Sequence, residues 1–465
     1  MQKGSQFMNR VLSKVKTRLQ TLPIGYLYSL KNDGGKGRFT MLMSGIMAGL
    51  VGQLSGGLFY TSFLLQYGLD KSKIGILTFV PYFACLLQIF SPWILERFPK
   101  RKWLLFSVRM SSYAISILGI TILPMLIKDP KALIFGFVAL TVLNSSINSL
   151  FASGYSAWHA NFLPEHVRVD YFNTTGCINS AVTLFITLIV SMIGDKMTGT
   201  EHELLMLTII RFIAFALAVV DCLILLLPKE YPYATVAKAK LTNVFTLPFK
   251  EKKFLLTILI CAGYSFATNL PNATLNAYIL QDVGVSYTLC NGINATYFLF
   301  FIFFSSMWKK LISKLYWFRA LTVVVLIHAA TYFMYSFVTA DTLWLYITVR
   351  FSQHVLGVAT GTIFSSLPYV HLPEADRTNY LTFHSIVANI AVFLSLMLGT
   401  VFTTFFANRY GDSGSISFLS YPFSSTQFLL FASGVAQVTI ALVSLALSRK
   451  LTPPELLSAK KSKKA

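Results

Sequence analysis

The chain has 465 residues, 55% of them hydrophobic and only 12% charged, with a mean hydropathy of +0.62. A soluble domain typically carries about 25% charged residues, so a soluble enzyme is excluded and a bilayer is indicated. The net charge of +21 does not indicate nucleic acid, because Lys and Arg concentrate in alternate loops and in both tails, a pattern that sets membrane topology.

Residues 1–39 form a basic tail with Asp33 as its one acid. The tail lacks the short apolar core and small-residue site of a cleaved signal peptide. Val11 to Leu22 reads either as a basic amphipathic helix on the membrane surface or as a solvated tail. Twelve apolar runs follow, over 40–66, 74–95, 103–126, 132–156, 174–194, 204–227, 254–280, 288–308, 318–338, 343–366, 383–406 and 424–448. Each is long enough to cross a hydrocarbon core of about 30 Å as a helix. The five cysteines, Cys85, Cys177, Cys222, Cys261 and Cys290, fall inside these runs and read as small packing residues rather than a disulfide framework.

If both tails share one side, that side holds thirty Lys and Arg and the opposite loops hold six. This bias predicts a multi-pass plasma-membrane protein with both termini in the cytoplasm. The longest cytoplasmic connection, 228–253, separates an N-terminal bundle over 40–227 from a C-terminal bundle over 254–448. Residues 449–465 form a second basic tail.

An internal repeat supports that division. Leu163-Pro164-Glu165-His166-Val167-Arg168-Val169-Asp170-Tyr171-Phe172 recurs as Leu372-Pro373-Glu374-Ala375-Asp376-Arg377-Thr378-Asn379-Tyr380-Leu381, with Leu-Pro-Glu, Arg and Tyr in register. A second echo links Leu65, Gln66, Gly68 and Gly75 to Leu280, Gln281, Gly284 and Gly292. The expected fold is an all-α membrane protein with twelve transmembrane helices in two homologous six-helix bundles.

Between spans two and three the chain reads Pro92-Trp93-Ile94-Leu95-Glu96-Arg97-Phe98-Pro99-Lys100-Arg101-Lys102. This is similar to the loop motif of the major facilitator superfamily, with Pro92 and Pro99 in place of its two glycines. The counterpart at Trp308, Lys309, Lys310 and Lys314 keeps only the basic character. With twelve spans, the repeat and the cytoplasmic tails, the chain resembles that superfamily over nearly its whole length. The resemblance implies that spans one, four, seven and ten line a central cavity.

Polar side chains are costly inside a bilayer and mark cavities or helix contacts. Those of these four spans are Gln53 and Tyr60, Asn144 and Asn148, Asn269, Asn272 and Asn276, and Arg350 and His354. The spacing of Asn269, Asn272 and Asn276 puts them on one helical face, and Pro271 interrupts the backbone among them. These nine are the candidate substrate-binding residues. Gly45, Gly49, Gly52 and Gly56 form a stripe assigned to close helix packing.

Among the charges in the spans, Arg109 reads as snorkelling to the cytoplasmic face. Arg211 and Asp221, ten residues apart, lie on different faces and do not pair with each other. Each therefore belongs to an ion pair with another helix or to a coupling site. Arg350 requires an anionic partner: Asp221, another acid, or the substrate. His354, one turn away, is a candidate for proton coupling. Glu96, Arg97, Arg168 and Arg377 are assigned to a cytoplasmic gate.

The functional expectation is a secondary active transporter that moves a small molecule by alternating access, with protons as a candidate coupling ion. No phosphate loop or metal-ligand cluster is found, so no cofactor is expected. The expected partners are the solute, protons and the lipid bilayer, without nucleic acid, and the expected state is a monomer. The alternatives are a lipid flippase on the same fold, or a membrane-embedded sensor or enzyme. No nucleophile–base constellation supports the enzyme.

Overall fold

The computed structural model describes residues 23–95, 97–98, 100–160, 162–163, 165–230, 241–373, 377–411 and 414–452. The expected surface helix at Val11 to Leu22 and the gate residue Glu96 lie outside the described residues, as do the side chains of Arg168 and Arg377.

A short helix, α1 (Pro23–Leu27), precedes span one, which is broken into α2 (Asp33–Ser55) and α3 (Gly57–Gln66). Span two is α4 (Lys71–Ala84), which tightens past Pro81 into a 3-10 turn and ends in α5 (Ser91–Leu95). Span three is α6 (Lys102–Tyr113) and α7 (Ile120–Leu126), joined by a π turn over Ala114–Gly119. Spans four to six are α8 (Pro130–Ala160), α9 (Glu165–Met197) and α10 (Glu203–Ile224).

The second half repeats this plan. A short helix, α11 (Leu241–Lys250), precedes a broken span seven, α12 (Lys252–Asn269) and α13 (Asn272–Gln281). Spans eight to eleven are α14 (Tyr287–Leu315), α15 (Trp317–Tyr335), α16 (Leu343–Val370) and α17 (Arg377–Tyr410). A small hairpin, β1 (Ile416–Phe418) with β2 (Tyr421–Phe423), leads into span twelve, α18 (Ser425–Leu451).

Eleven helical segments among the described residues are long and apolar enough to cross a membrane. The remaining expected span is α16, whose 28 residues rise about 42 Å at 1.5 Å each. It is long enough to cross, but Arg350, Gln353, His354 and a series of hydroxyls dilute its apolar content. The fold is an all-α membrane protein in two six-helix bundles.

The repeat appears in the packing. Span one meets five and six as span seven meets eleven and twelve, and span two meets four as span eight meets ten. Between the bundles, span two packs on eleven and span five on eight. One pair of the repeated glycines serves a matching purpose. Gly68 and Gly284 end the first span of each bundle with φ of 75° and 71°, a left-handed conformation natural to glycine. Gly75 faces span eleven, where a Cβ would come within 2.4 Å of Thr400.

The Leu-Pro-Glu copies lie at the end of the bundles that carries most of the basic residues, called here the basic end. Their tyrosines are buried, Tyr171 at 3% and Tyr380 at 5% exposure. Tyr171 packs on Tyr28, and Tyr380 packs on Phe254, each at the entry to its bundle's first span. Nearby, Arg38 donates to the carbonyls of Leu27 and Phe162 at 2.7 and 3.1 Å. Each repeat thus fastens the segment that leads into a broken first span.

At the opposite, acidic end one apolar core joins both bundles, with Leu58, Phe63 and Ile74 packed in the same cluster as Tyr278, Val285 and Tyr346. At the basic end the cores are separate, one around Leu42 and Trp158 and another around Leu321 and Ile363. The bundles therefore close on each other at the acidic end.

Candidate functional site

Both first spans are broken, and the segment beyond each break is ten residues long. The α2–α3 junction falls at Gly56–Gly57 and the α12–α13 junction at Leu270–Pro271. Pro271 has no N–H to continue the helix, while Gly57 takes a φ of +53°. Such discontinuous helices free backbone groups near the membrane midplane.

Between these breaks lies a cavity of about 150 Å³ whose polar lining is Gln53, Asn276, Asn291, Asn294 and Arg350. Through Gln53, Asn291 and Asn294 it adjoins a lobe of about 350 Å³ lined by Asn179, Ser180, Thr183 and Thr187 of span five. Arg350 donates from Nη2 to Asn294 Oδ1 at 2.6 Å and from Nη1 to Gln353 Oε1 at 3.0 Å. Its Nε is buried without a hydrogen-bond partner, as are Asn179 Oδ1 and Thr187 Oγ1 in the larger lobe.

Four sealing contacts close the acidic end over this cavity. Lys71 Nζ reaches Asp282 at 2.6 Å. Asp195 accepts from the backbone N–H of Tyr287 and Thr288 at 2.6 and 2.9 Å, which caps span eight with a carboxylate from the other bundle. Tyr287 donates to Ser62 at 2.5 Å and stacks on Phe59. Asn291 donates to Ser191 at 2.8 Å.

The nine expected binding residues do not all meet. Gln53, Asn276 and Arg350 line the cavity. Asn272 donates to Asn269 at 3.0 Å, and Asn269 donates to the Ser265 carbonyl at 2.7 Å. These two amides trim the break rather than line the described cavity. His354 lies between spans eight and ten, with Nε2 2.9 Å from the Ile293 carbonyl and its ring against Tyr297. Tyr60 lies under Arg211, 5.4 Å from guanidinium to ring centre.

Asn144 and Asn148 turn towards span three. Asn144 accepts from Ser112 at 2.6 Å and Asn148 donates to Ser112 at 2.7 Å. They border a separate space of about 420 Å³ with Arg109, Tyr113 and Tyr155. The snorkelling expected of Arg109 is corrected there: its Nη2 lies 2.7 Å from Asp221 Oδ2. Asp221 also accepts from Ser44 at 2.5 Å and Tyr113 at 2.8 Å. Held by Arg109 in this way, Asp221 is not the partner of Arg350.

Arg211 does not pair with Asp221 and makes no ion pair among the described residues. It is 2% exposed and donates to Thr121 Oγ1 at 2.7 Å and to the carbonyls of Ser55 and Ser116 at 3.2 and 2.9 Å. Those carbonyls stand beside the break in span one and in the π turn of span three, where helical geometry leaves them exposed. Of the glycine stripe, Gly45 and Gly49 admit Asn179 and Thr183 closely, while Gly52 faces open space.

Reasoning by span missed Asn291 and Asn294 because it searched spans one, four, seven and ten. Their i, i+3 spacing in span eight was the available signal. The hydroxyl and amide face of span five was overlooked for the same reason. The gate residue Arg97 is exposed, in the loop between spans two and three.

Two helical bundles around a shared polar cavity, with both first spans broken, have the architecture of a membrane carrier. The chain matches the Major Facilitator Superfamily over residues 41–400; it belongs to that family and is a secondary transporter. No curated protein matches the sequence. Among solved structures it is similar to a bacterial homologue of the iron transporter ferroportin in an inward-facing state (12% identity, 89% of this chain and 98% of that one, TM-score 0.65). It is also similar to the nucleoside transporter NupG (14%, 90% and 99%, 0.57) and to a D-xylose–proton symporter (13%, 88% and 96%, 0.58). At these identities the likeness is one of fold.

Proposed function

We propose that this chain carries a small polar solute across the plasma membrane by alternating access, with the Arg350 cavity as its binding site. The observation that carries the reading is a polar midplane cavity between two broken first spans, sealed at one end by contacts between the bundles. The basic end faces the cytoplasm, in keeping with the charge bias, so this arrangement is inward-open. Opening outward requires Lys71–Asp282 and the Asp195 cap to release while the basic end closes. Glu96, Arg97, Arg168 and Arg377 are the proposed contacts of that closure.

The protein acts as a monomer in lipid and needs no catalytic group. Proton coupling is assigned to His354, where donation of Nε2–H to Ile293 leaves Nδ1 as the ring's acceptor. Thiol accessibility tests the cycle. With native cysteines replaced, Gln53→Cys and Asn294→Cys in inside-out vesicles should react with an impermeant thiol reagent. In right-side-out vesicles the reaction should be much slower. Equal rates from both faces would contradict a sealed outer end.

A further inference from the structure

We propose that the solute is an organic anion whose carboxylate or phosphate seats on Arg350 and whose uncharged body lies in the lobe lined by span five. This deepens the transport reading and rests on it. A guanidinium presents five N–H donors and stays charged at any physiological pH. Two donors of Arg350 are taken, by neutral amides, and its Nε–H is buried without an acceptor. Burying a charge without a counter-charge costs several kcal/mol, so a chain that retains one either compensates it internally or leaves it for a ligand.

Internal compensation is absent here among the described residues. No Asp or Glu lines the cavity. The acids on the nearby spans are engaged elsewhere: Asp221 by Arg109, Asp282 by Lys71, Asp195 by the start of span eight, and Glu203 by Ser62 and the Gly199 N–H. The titratable neighbours of Arg350 include the phenols of Tyr332, Tyr335 and Tyr346, the thiol of Cys290 and the imidazole of His354, and none is an anion near neutral pH by its reference value.

The contrast with Arg211 is chemical. That guanidinium also makes no ion pair among the described residues, but backbone carbonyls and Thr121 occupy its donors. Among the described residues no backbone carbonyl accepts from Arg350, whose two hydrogen bonds go to side-chain amide oxygens and whose Nε–H has no partner. A carboxylate or phosphate matches the planar fork in two-point fashion. The amides of Gln53, Asn276 and Asn291 stand around it. The larger lobe is lined by Asn179, Ser180, Thr183 and Thr187, amide and hydroxyl side chains that suit an uncharged body bearing hydroxyl groups. The lobes, about 150 and 350 Å³, suit a small metabolite.

The test uses the purified full chain in detergent and matched probe pairs: gluconate and glucose, and glucose 6-phosphate and glucose. At least one anionic member should raise the melting temperature while its neutral partner does not. Arg350→Gln should abolish that shift, and Arg350→Lys should weaken apparent affinity about tenfold or more. The proposal is overturned if no anion shifts the wild type, if a neutral partner shifts it equally, or if the shift survives Arg350→Gln. Counterflow in proteoliposomes separates the two layers. A neutral solute still transported by Arg350→Gln sinks the anion and leaves the transporter. A bound anion that never crosses sinks transport and leaves the site.

Discussion

The two bundles treat buried arginines in opposite ways. In the N-terminal bundle Arg109 meets Asp221 at 2.7 Å, and Arg211 meets a hydroxyl and the carbonyls exposed by a helix break and a π turn. In the C-terminal bundle Arg350 meets only amides and keeps an unpartnered Nε at the cavity between the bundles. Arg211 is fully buried, and Arg109 and Arg350 are half-buried. A charge answered from within the chain holds helices together, whereas one left unanswered is available to a passing solute.

The largest expected effect breaks the first half of that contrast. Asp221→Asn strands Arg109 and should destabilise the protein by about 3–5 kcal/mol, the usual result of removing one partner of a buried pair. Thermal unfolding of detergent-solubilised protein measures it. Arg109→Met combined with Asp221→Leu should recover most of the loss, because an apolar pair needs no desolvated partner. An Asp221→Asn protein as stable as wild type would show that the pair is idle.

A smaller effect concerns the seal. Lys71→Ala should cost the outward-closed state about 1 kcal/mol, since the Asp282 side chain is 30% exposed and water screens the pair. Populations shift by several-fold without unfolding. Spin labels placed in the loops after spans one and seven should report longer distances. The exchange Lys71→Asp with Asp282→Lys should restore the short ones. Unaltered distances in Lys71→Ala would mean that the seal rests on its apolar core alone.

The smallest effect lies at the cap of span ten. His371 sits 2.9 Å from Thr257, and burial, with Lys253 nearby, pushes its pKa below the usual histidine value. The native state therefore binds fewer protons than the unfolded chain below about pH 6.5. Stability should fall as the pH drops through that value towards the native pKa, and should be complete above it. His371→Gln should flatten this dependence in melting curves taken between pH 5 and 7. A slope that persists in the variant would assign it to another group.

Much of this was legible in the residues. Apolar length showed the spans, and the Leu-Pro-Glu repeat showed the duplicated bundles, because burial of Tyr171 and Tyr380 needs the same neighbours in each half. The single exception, span ten, is a helix whose polar content serves the cavity and obscures its membrane character. The site was less legible. Gln53, Asn276 and Arg350 were found because intramembrane polarity is costly, but the same cost marks Asn144 and Asn148, which bind Ser112 instead. Sequence alone does not tell a stripe that faces a cavity from one that faces a helix. The Arg109–Asp221 pair joins spans three and six across more than a hundred residues, a proximity that only packing creates.

Arg350→Gln is the most direct test of the contrast between answered and unanswered charge. Melting temperature and proteoliposome uptake should be measured on the same preparation. The variant should have a melting temperature equal to or above that of wild type, since removing an uncompensated charge is neutral or stabilising, together with loss of uptake. A melting temperature lowered as far as in Asp221→Asn, or uptake at the wild-type rate, would contradict it.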